Sequence, residues 1–133
     1  MTSPKIMIID DDLDLIEAAK IALEANKFQV VYEISEKKAV AAVIREKPDI
    51  VLLDVMFPEN PTAGFEICRE LKKLPETTKI PVFILSAIND RFNMCFNKNF
   101  AGEGGPLPAK EFIEKPIDPA ALISLIQSTL SGK

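Results

Sequence analysis

Apolar positions fall along the chain in two alternating rhythms. Short runs at Lys5 to Ile9, Gln29 to Ile34, Ile50 to Asp54, Pro81 to Leu85 and Phe112 to Glu114 are too brief for helices. The first of them has no alternation of wet and dry positions, so it reads as a strand covered on both faces. Between the runs the apolar residues recur every three or four positions. Leu15, Ile16, Ala19, Ala22 and Leu23 give one helical face, with Asp14, Glu17 and Glu24 on the other side and Asp12 placed as an N-cap. Ala39, Val40, Val43 and Ile44 give a second helix that must end before Pro48, and Phe65, Cys68 and Leu71 a third that Pro75 closes. The last helix starts with Asp118 as cap and Pro119 at the first helical position, and docks through Leu122, Leu125 and Ile126.

The stretch Asn89 to Lys110, with its four Asn and its GEGGPLP run, predicts a short or distorted fourth helix followed by a loop. Five strands thus alternate with five helical segments. The fold class this predicts is α/β, a doubly wound five-stranded parallel sheet of flavodoxin-like strand order 2-1-3-4-5.

Composition narrows the picture. A chain of 133 residues is the size of one ordinary domain, and 47% hydrophobic with 27% charged residues is a globular balance. The net charge of −4 offers no basic face for phosphate backbones, so direct nucleic-acid binding is not expected. No apolar run approaches the roughly 18 residues of a membrane span, and the N-terminus has no secretory pattern, so no membrane contact and a cytoplasmic location are expected. The two cysteines, Cys68 and Cys95, lack metal-ligand spacing and read as reduced thiols. Histidine is absent, which excludes a Ser-His-Asp triad and an imidazole phosphocarrier within this chain.

The candidate chemistry sits where ligands bind in open parallel sheets, outside the carboxyl ends of the strands. Asp10 and Asp11 end the first strand, Asp54 the third, Ser86 the fourth and Lys115 the fifth. Three carboxylates in one crevice repel by several kcal/mol at an effective dielectric of about 20, so they call for a cation. An all-oxygen set with room for water suits Mg²⁺ rather than Zn²⁺, which prefers Cys or His. Lys115 adds a point charge for a phosphoryl oxygen, and the Ser86 hydroxyl adds a donor. A carboxylate facing Mg²⁺, an ammonium and a hydroxyl is arranged to accept a phosphoryl group.

These residues stand in the segments IMIIDDD, IVLLDVMFP, VFILSA and FIEKP, which in order and spacing resemble the receiver domains of two-component response regulators. The resemblance covers essentially all of 1–133 and implies a single receiver domain. It implies that Asp54 is the phosphoacceptor and that Asp11, Asp54 and the backbone carbonyl of Met56 hold Mg²⁺, with Asp10 acting through water. It implies phosphoryl-binding or switch roles for Ser86, Ala87, Lys115 and Phe112, the last in place of the family's frequent Tyr. Met56 and Ile88 fall at the positions that flank the attacking water in receivers; both are apolar, which predicts slow self-dephosphorylation. Three departures stand out: Phe57 where Met is usual before Pro58, a longer loop to Gly64, and a longer interval from Ser86 to Lys115. The surplus lies in the Gly/Pro-rich stretch, on the family's usual output face.

The implied activity is transfer of a phosphoryl group from a sensor histidine kinase or phosphotransfer protein to Asp54, followed by a change in affinity for an output protein or domain through the fourth helix and fifth strand. On this reading the chain is no enzyme beyond catalysing its own phosphorylation and dephosphorylation. It is either a stand-alone relay or a receiver from a longer regulator. The alternative is a haloacid-dehalogenase-type phosphatase, which also uses a strand-end Asp and Mg²⁺. Its signature would need Thr or Val at position 14, where this chain has Asp14, and a second acidic pair late in the sequence. A flavodoxin-like electron carrier would need a hydroxyl-rich phosphate loop after the first strand, where the three acids would repel a flavin phosphate.

Overall fold

The computed structural model describes residues 3–54, 63–87, 111–115 and 117–131. Its elements are β1 (Lys5–Ile9), α1 (Leu13–Ala25), β2 (Gln29–Glu33), a 3₁₀ turn (Glu36–Lys38), α2 (Ala39–Glu46), β3 (Ile50–Asp54), α3 (Ala63–Lys73), β4 (Val82–Ala87), β5 (Glu111–Lys115) and α4 (Pro119–Ser131). The strands form one parallel sheet in the order β2-β1-β3-β4-β5, as the alternation of patterns predicts. The expected helix within 89–110 lies outside the described residues.

Strand alternation divides the core into two layers. Met7, Ile9, Val51, Leu53, Val82 and Ile84 pack against α2 and α3, where they meet Ala39, Ala42, Val43, Ile67, Cys68 and Leu71. Ile6, Ile8, Ile50, Leu52, Phe83 and Leu85 point to the opposite face and meet Ile16, Ala19 and Leu23 of α1 and Leu122 and Ile126 of α4. Because both faces are covered, the last four residues of β1 and all five of β3 are buried, which explains runs without polar alternation. Leu125, expected to dock α4, is partly buried against the same layer.

Several boundaries differ from the sequence reading for local reasons. β4 starts at Val82 because Pro81 has no N–H for the ladder, although its carbonyl accepts from Val51 N at 3.0 Å. It then runs on through Ser86 and Ala87, and β5 is one residue longer at each end than expected. β2 stops at Glu33, whose carboxylate accepts the Ser35 N–H at 2.9 Å and turns the chain before Ile34 can extend the strand. The 3₁₀ turn before α2 was not legible in the sequence.

Helix ends set the loops below the sheet. α1 and α2 are each followed by a lysine in left-handed conformation, Lys27 with φ 70° and Lys47 with φ 51°. Lys47 N closes α2 on the Val43 carbonyl at 2.9 Å, and Lys27 N bonds the Glu24 carbonyl at 3.0 Å. At the start of the sheet, Lys5 and Asp49 exchange bonds, Lys5 N to Asp49 Oδ2 and Asp49 N to the Lys5 carbonyl, each at 2.8 Å. This pair sets β1 beside β3 in the register that joins Ile9 to Leu53. After α3, the buried Thr77 hydroxyl donates to the Leu71 carbonyl, and Lys72 Nζ donates to the Ile80 carbonyl at 2.6 Å. Burial holds the Lys72 ammonium below its ordinary pKa.

Candidate functional site

The register of the sheet brings the candidate residues to one edge. β1 and β3 are neighbours at the centre, so the chain leaving β1 through Asp10 and Asp11 passes beside Asp54 at the end of β3. One carboxylate oxygen from each of Asp10, Asp11 and Asp54 lies within 4.8 Å of the others. Asp10 is fully buried, Asp54 is 4% exposed, and Asp11 is exposed. Burial removes most of the water that would otherwise separate the like charges of Asp10 and Asp54.

Two of the three consecutive acids have separate jobs in the backbone. Asp10 N donates to the Glu33 carbonyl of β2 at 3.2 Å, which continues the ladder one residue beyond β1. Asp10 Oδ1 accepts the Asp12 N–H at 3.0 Å, an Asx turn that swings the chain out of the sheet. Asp12 then caps α1, its Oδ1 accepting the Leu15 N–H at 3.2 Å, as the sequence predicts. Asp11, between turn and cap, is exposed, as is Asp12. The bond from Asp12 back to Asp10 was missed by the sequence reading, although an Asp two positions before an N-cap is a signal for it.

The remaining strand ends are placed by backbone register. Asp54 pairs with Leu85, so Ser86 follows directly beyond that level on β4, and Ala87 pairs with Lys115 of β5. Phe112 pairs with Ile84, one strand away. For Ser86, Ala87, Phe112 and Lys115 the structure describes the backbone, and their expected side-chain contacts lie outside the described atoms. Met56, Phe57 and Ile88 lie outside the described residues, as does Cys95. Cys68 is a free, buried thiol, and desolvation pushes its pKa up to about 11, so it is no part of the site chemistry.

The donor set fits a hard divalent cation. It is made of carboxylate oxygens from two strand ends, two of them buried, with an exposed third that leaves one side open to water. That is the composition of a site that keeps several waters on its ion, as Mg²⁺ does. Among the described residues, no helix is long and apolar enough to cross a membrane.

A doubly wound sheet in this order, with an acidic trio at the ends of its first and third strands, defines a class of phosphorylation-controlled signalling domain. The response regulator receiver domain model matches residues 6–127, and the chain belongs to that family. The chain is 30% identical over 130 residues to the phosphate regulon transcriptional regulatory protein PhoB of Pseudomonas aeruginosa, covering 98% of this chain and 53% of that protein. It is 36% identical over 130 residues to the response regulator PleD of Caulobacter vibrioides, covering 95% of this chain and 26% of that protein. The chain therefore spans about half or less of the length of these curated relatives. Among solved structures it is similar to the signal receiver domain of a signal transduction histidine kinase from Syntrophus aciditrophicus, with a TM-score of 0.80 and 30% identity, covering 98% of this chain and 92% of that one. The receiver assignment takes the place of the haloacid-dehalogenase alternative.

Proposed function

We propose that residues 1–133 form one receiver domain that accepts a phosphoryl group on Asp54 from the phosphohistidine of a sensor histidine kinase or phosphotransfer protein. The observation that carries this reading is the acidic trio: Asp10 and Asp54 are buried side by side, with Asp11 beside them at the solvent. Like charges brought together by burial repel, and a cation between them is one arrangement that relieves the repulsion.

In this proposal Asp11, Asp54 and the Met56 carbonyl hold Mg²⁺, and Asp10 acts through an intervening water. The ion supplies charge neutralisation for the phosphoryl oxygens and a fixed orientation for the incoming group. Asp54 is the nucleophile: one carboxylate oxygen forms the bond to phosphorus in line with the breaking P–N bond, and the departing imidazole keeps the electron pair. An ionised carboxylate needs no general base, so positioning and charge stabilisation carry the step. Lys115 and Ser86 act on phosphoryl oxygens, with the Ala87 N–H beside them, and Phe112 follows Ser86 as the switch. Partner affinity for an output protein or domain then changes through the segment after β4 and through β5. Allosteric coupling of this kind is worth on the order of 1–3 kcal/mol.

The test is intact mass after incubation with a small-molecule phosphodonor, with and without Mg²⁺, for wild type and Asp54→Asn. A Mg²⁺-dependent gain of one phosphoryl group that the variant lacks supports the proposal. A gain retained by Asp54→Asn assigns the phosphoacceptor elsewhere.

A further inference from the structure

We propose that Asp12, which contributes no ligand, is a positioning residue that sets the affinity of the acidic trio for its cation; this rests on the Mg²⁺ reading of that trio. Asp10 and Asp54 are buried, so packing fixes their carboxylates. Asp11 is exposed and has no such support. What fixes it is the pair of hydrogen bonds on its C-terminal neighbour. Asp12 N is tied back to Asp10 Oδ1 at 3.0 Å, and Asp12 Oδ1 is tied forward to Leu15 N at 3.2 Å. Asp12 itself is extended, with φ −92° and ψ 99°, so it is the joint between the sheet and α1. Removing its side-chain acceptor frays the first turn of α1 and loosens that joint, and the exposed Asp11 carboxylate then samples positions away from the other two.

The structure also supplies its own control. Asp118 caps α4 in a similar way, its Oδ1 accepting the Ala120 N–H at 3.2 Å, but it adjoins none of the three acids in sequence. The experiment titrates each protein with MgCl₂ alone, by calorimetry and by amide shifts, and measures urea stability in parallel. Asp12→Ala weakens Mg²⁺ binding about fivefold, the equilibrium equivalent of one lost cap. Asp12→Asn and Asp12→Ser, which still cap, stay within about twofold of wild type. Asp118→Ala loses stability and leaves Mg²⁺ affinity unchanged. Asp12→Gly removes the acceptor at a smaller cost to the helix and shows the same direction of loss if the Ala variant does not fold.

Equal Mg²⁺ affinity in wild type and Asp12→Ala would overturn the inference and leave Asp12 as a cap alone. Equal weakening by Asp12→Asn and Asp12→Ala would assign the effect to charge, and weakening by Asp118→Ala would assign it to general stability; either result also overturns it. A wild type that binds no Mg²⁺ overturns the reading of the trio itself.

Discussion

Removing the charge of Asp54 should stabilise the metal-free protein. One oxygen of Asp54 and one of Asp10 lie within 4.8 Å, and both residues are buried. At that separation and an effective dielectric of about 20, the Coulomb repulsion of two unit charges is about 3.5 kcal/mol. Small rotations of the carboxylates and water reaching the exposed Asp11 reduce the net effect, so about 1–2 kcal/mol is expected on replacing Asp54 by Asn. The chain has no Trp and one Tyr, so far-ultraviolet circular dichroism in urea is the suitable assay. In EDTA the unfolding midpoint of Asp54→Asn should lie about 0.7–1.3 M above that of wild type, taking an m value of roughly 1.5 kcal/mol/M. Mg²⁺ at about ten times its dissociation constant should then raise wild-type stability by about 1.4 kcal/mol and the variant by less, closing much of the gap. If Asp54→Asn is less stable than wild type in EDTA, the repulsion argument is wrong, whatever the phosphorylation result.

Four further outcomes follow from other parts of the fold. Replacing Lys47 or Lys27 by Gly relieves a left-handed backbone at a helix end, and each change should raise stability by about 0.5–1 kcal/mol in the same urea assay; a loss would show that the lysine side chain contributes more than its conformation costs. Thr77→Val keeps the buried volume but leaves the Leu71 carbonyl without that hydroxyl, and should cost about 1–3 kcal/mol; an unchanged midpoint would mean another group takes its place. Burial pushes the Cys68 thiol up to about 11, so the folded state favours the protonated form. Its stabilising contribution is complete below pH 9 and is lost as pH rises towards 11, where Cys68→Ala should show a flatter pH dependence, and a thiol reagent at pH 8 should label Cys68 only after unfolding. On the proposal that position 56 flanks the attacking water, Met56→Asn should speed loss of the phosphoryl group; an unchanged half-life by time-resolved intact mass would refute that role.

The two kinds of information divide along physical lines. Strand-forming runs and helical faces were legible because both faces of a parallel sheet are covered, which leaves Met7, Ile8 and Ile9 or Val51, Leu52 and Leu53 without polar interruptions. The helix starts at Asp12 and Asp118 were legible because a cap is a contact between residues two or three apart. So was the choice of acids, since a carboxylate directly after a buried strand has few reasons to be there. Boundaries were less legible where a side chain competes for the backbone, as Glu33 does at Ser35 N and Pro81 does by lacking an N–H.

What only the tertiary structure decided is distance and solvent. Asp10 and Asp54 are far apart in sequence, and their approach depends on β1 lying beside β3 in the register that the Lys5–Asp49 pair begins. A shift of one residue in that register would move Asp54 along β1 by one residue rise, about 3.3 Å, and the trio would not form. Local sequence marks Asp12 as the cap but does not say that Asp10 is buried while Asp11 stays exposed. That assignment comes from the Asp10 N–H joining the ladder to Glu33 and its carboxylate turning the chain into α1. The residue types determined the chemistry available to this protein, and the packing of the sheet determined which carboxylates share it.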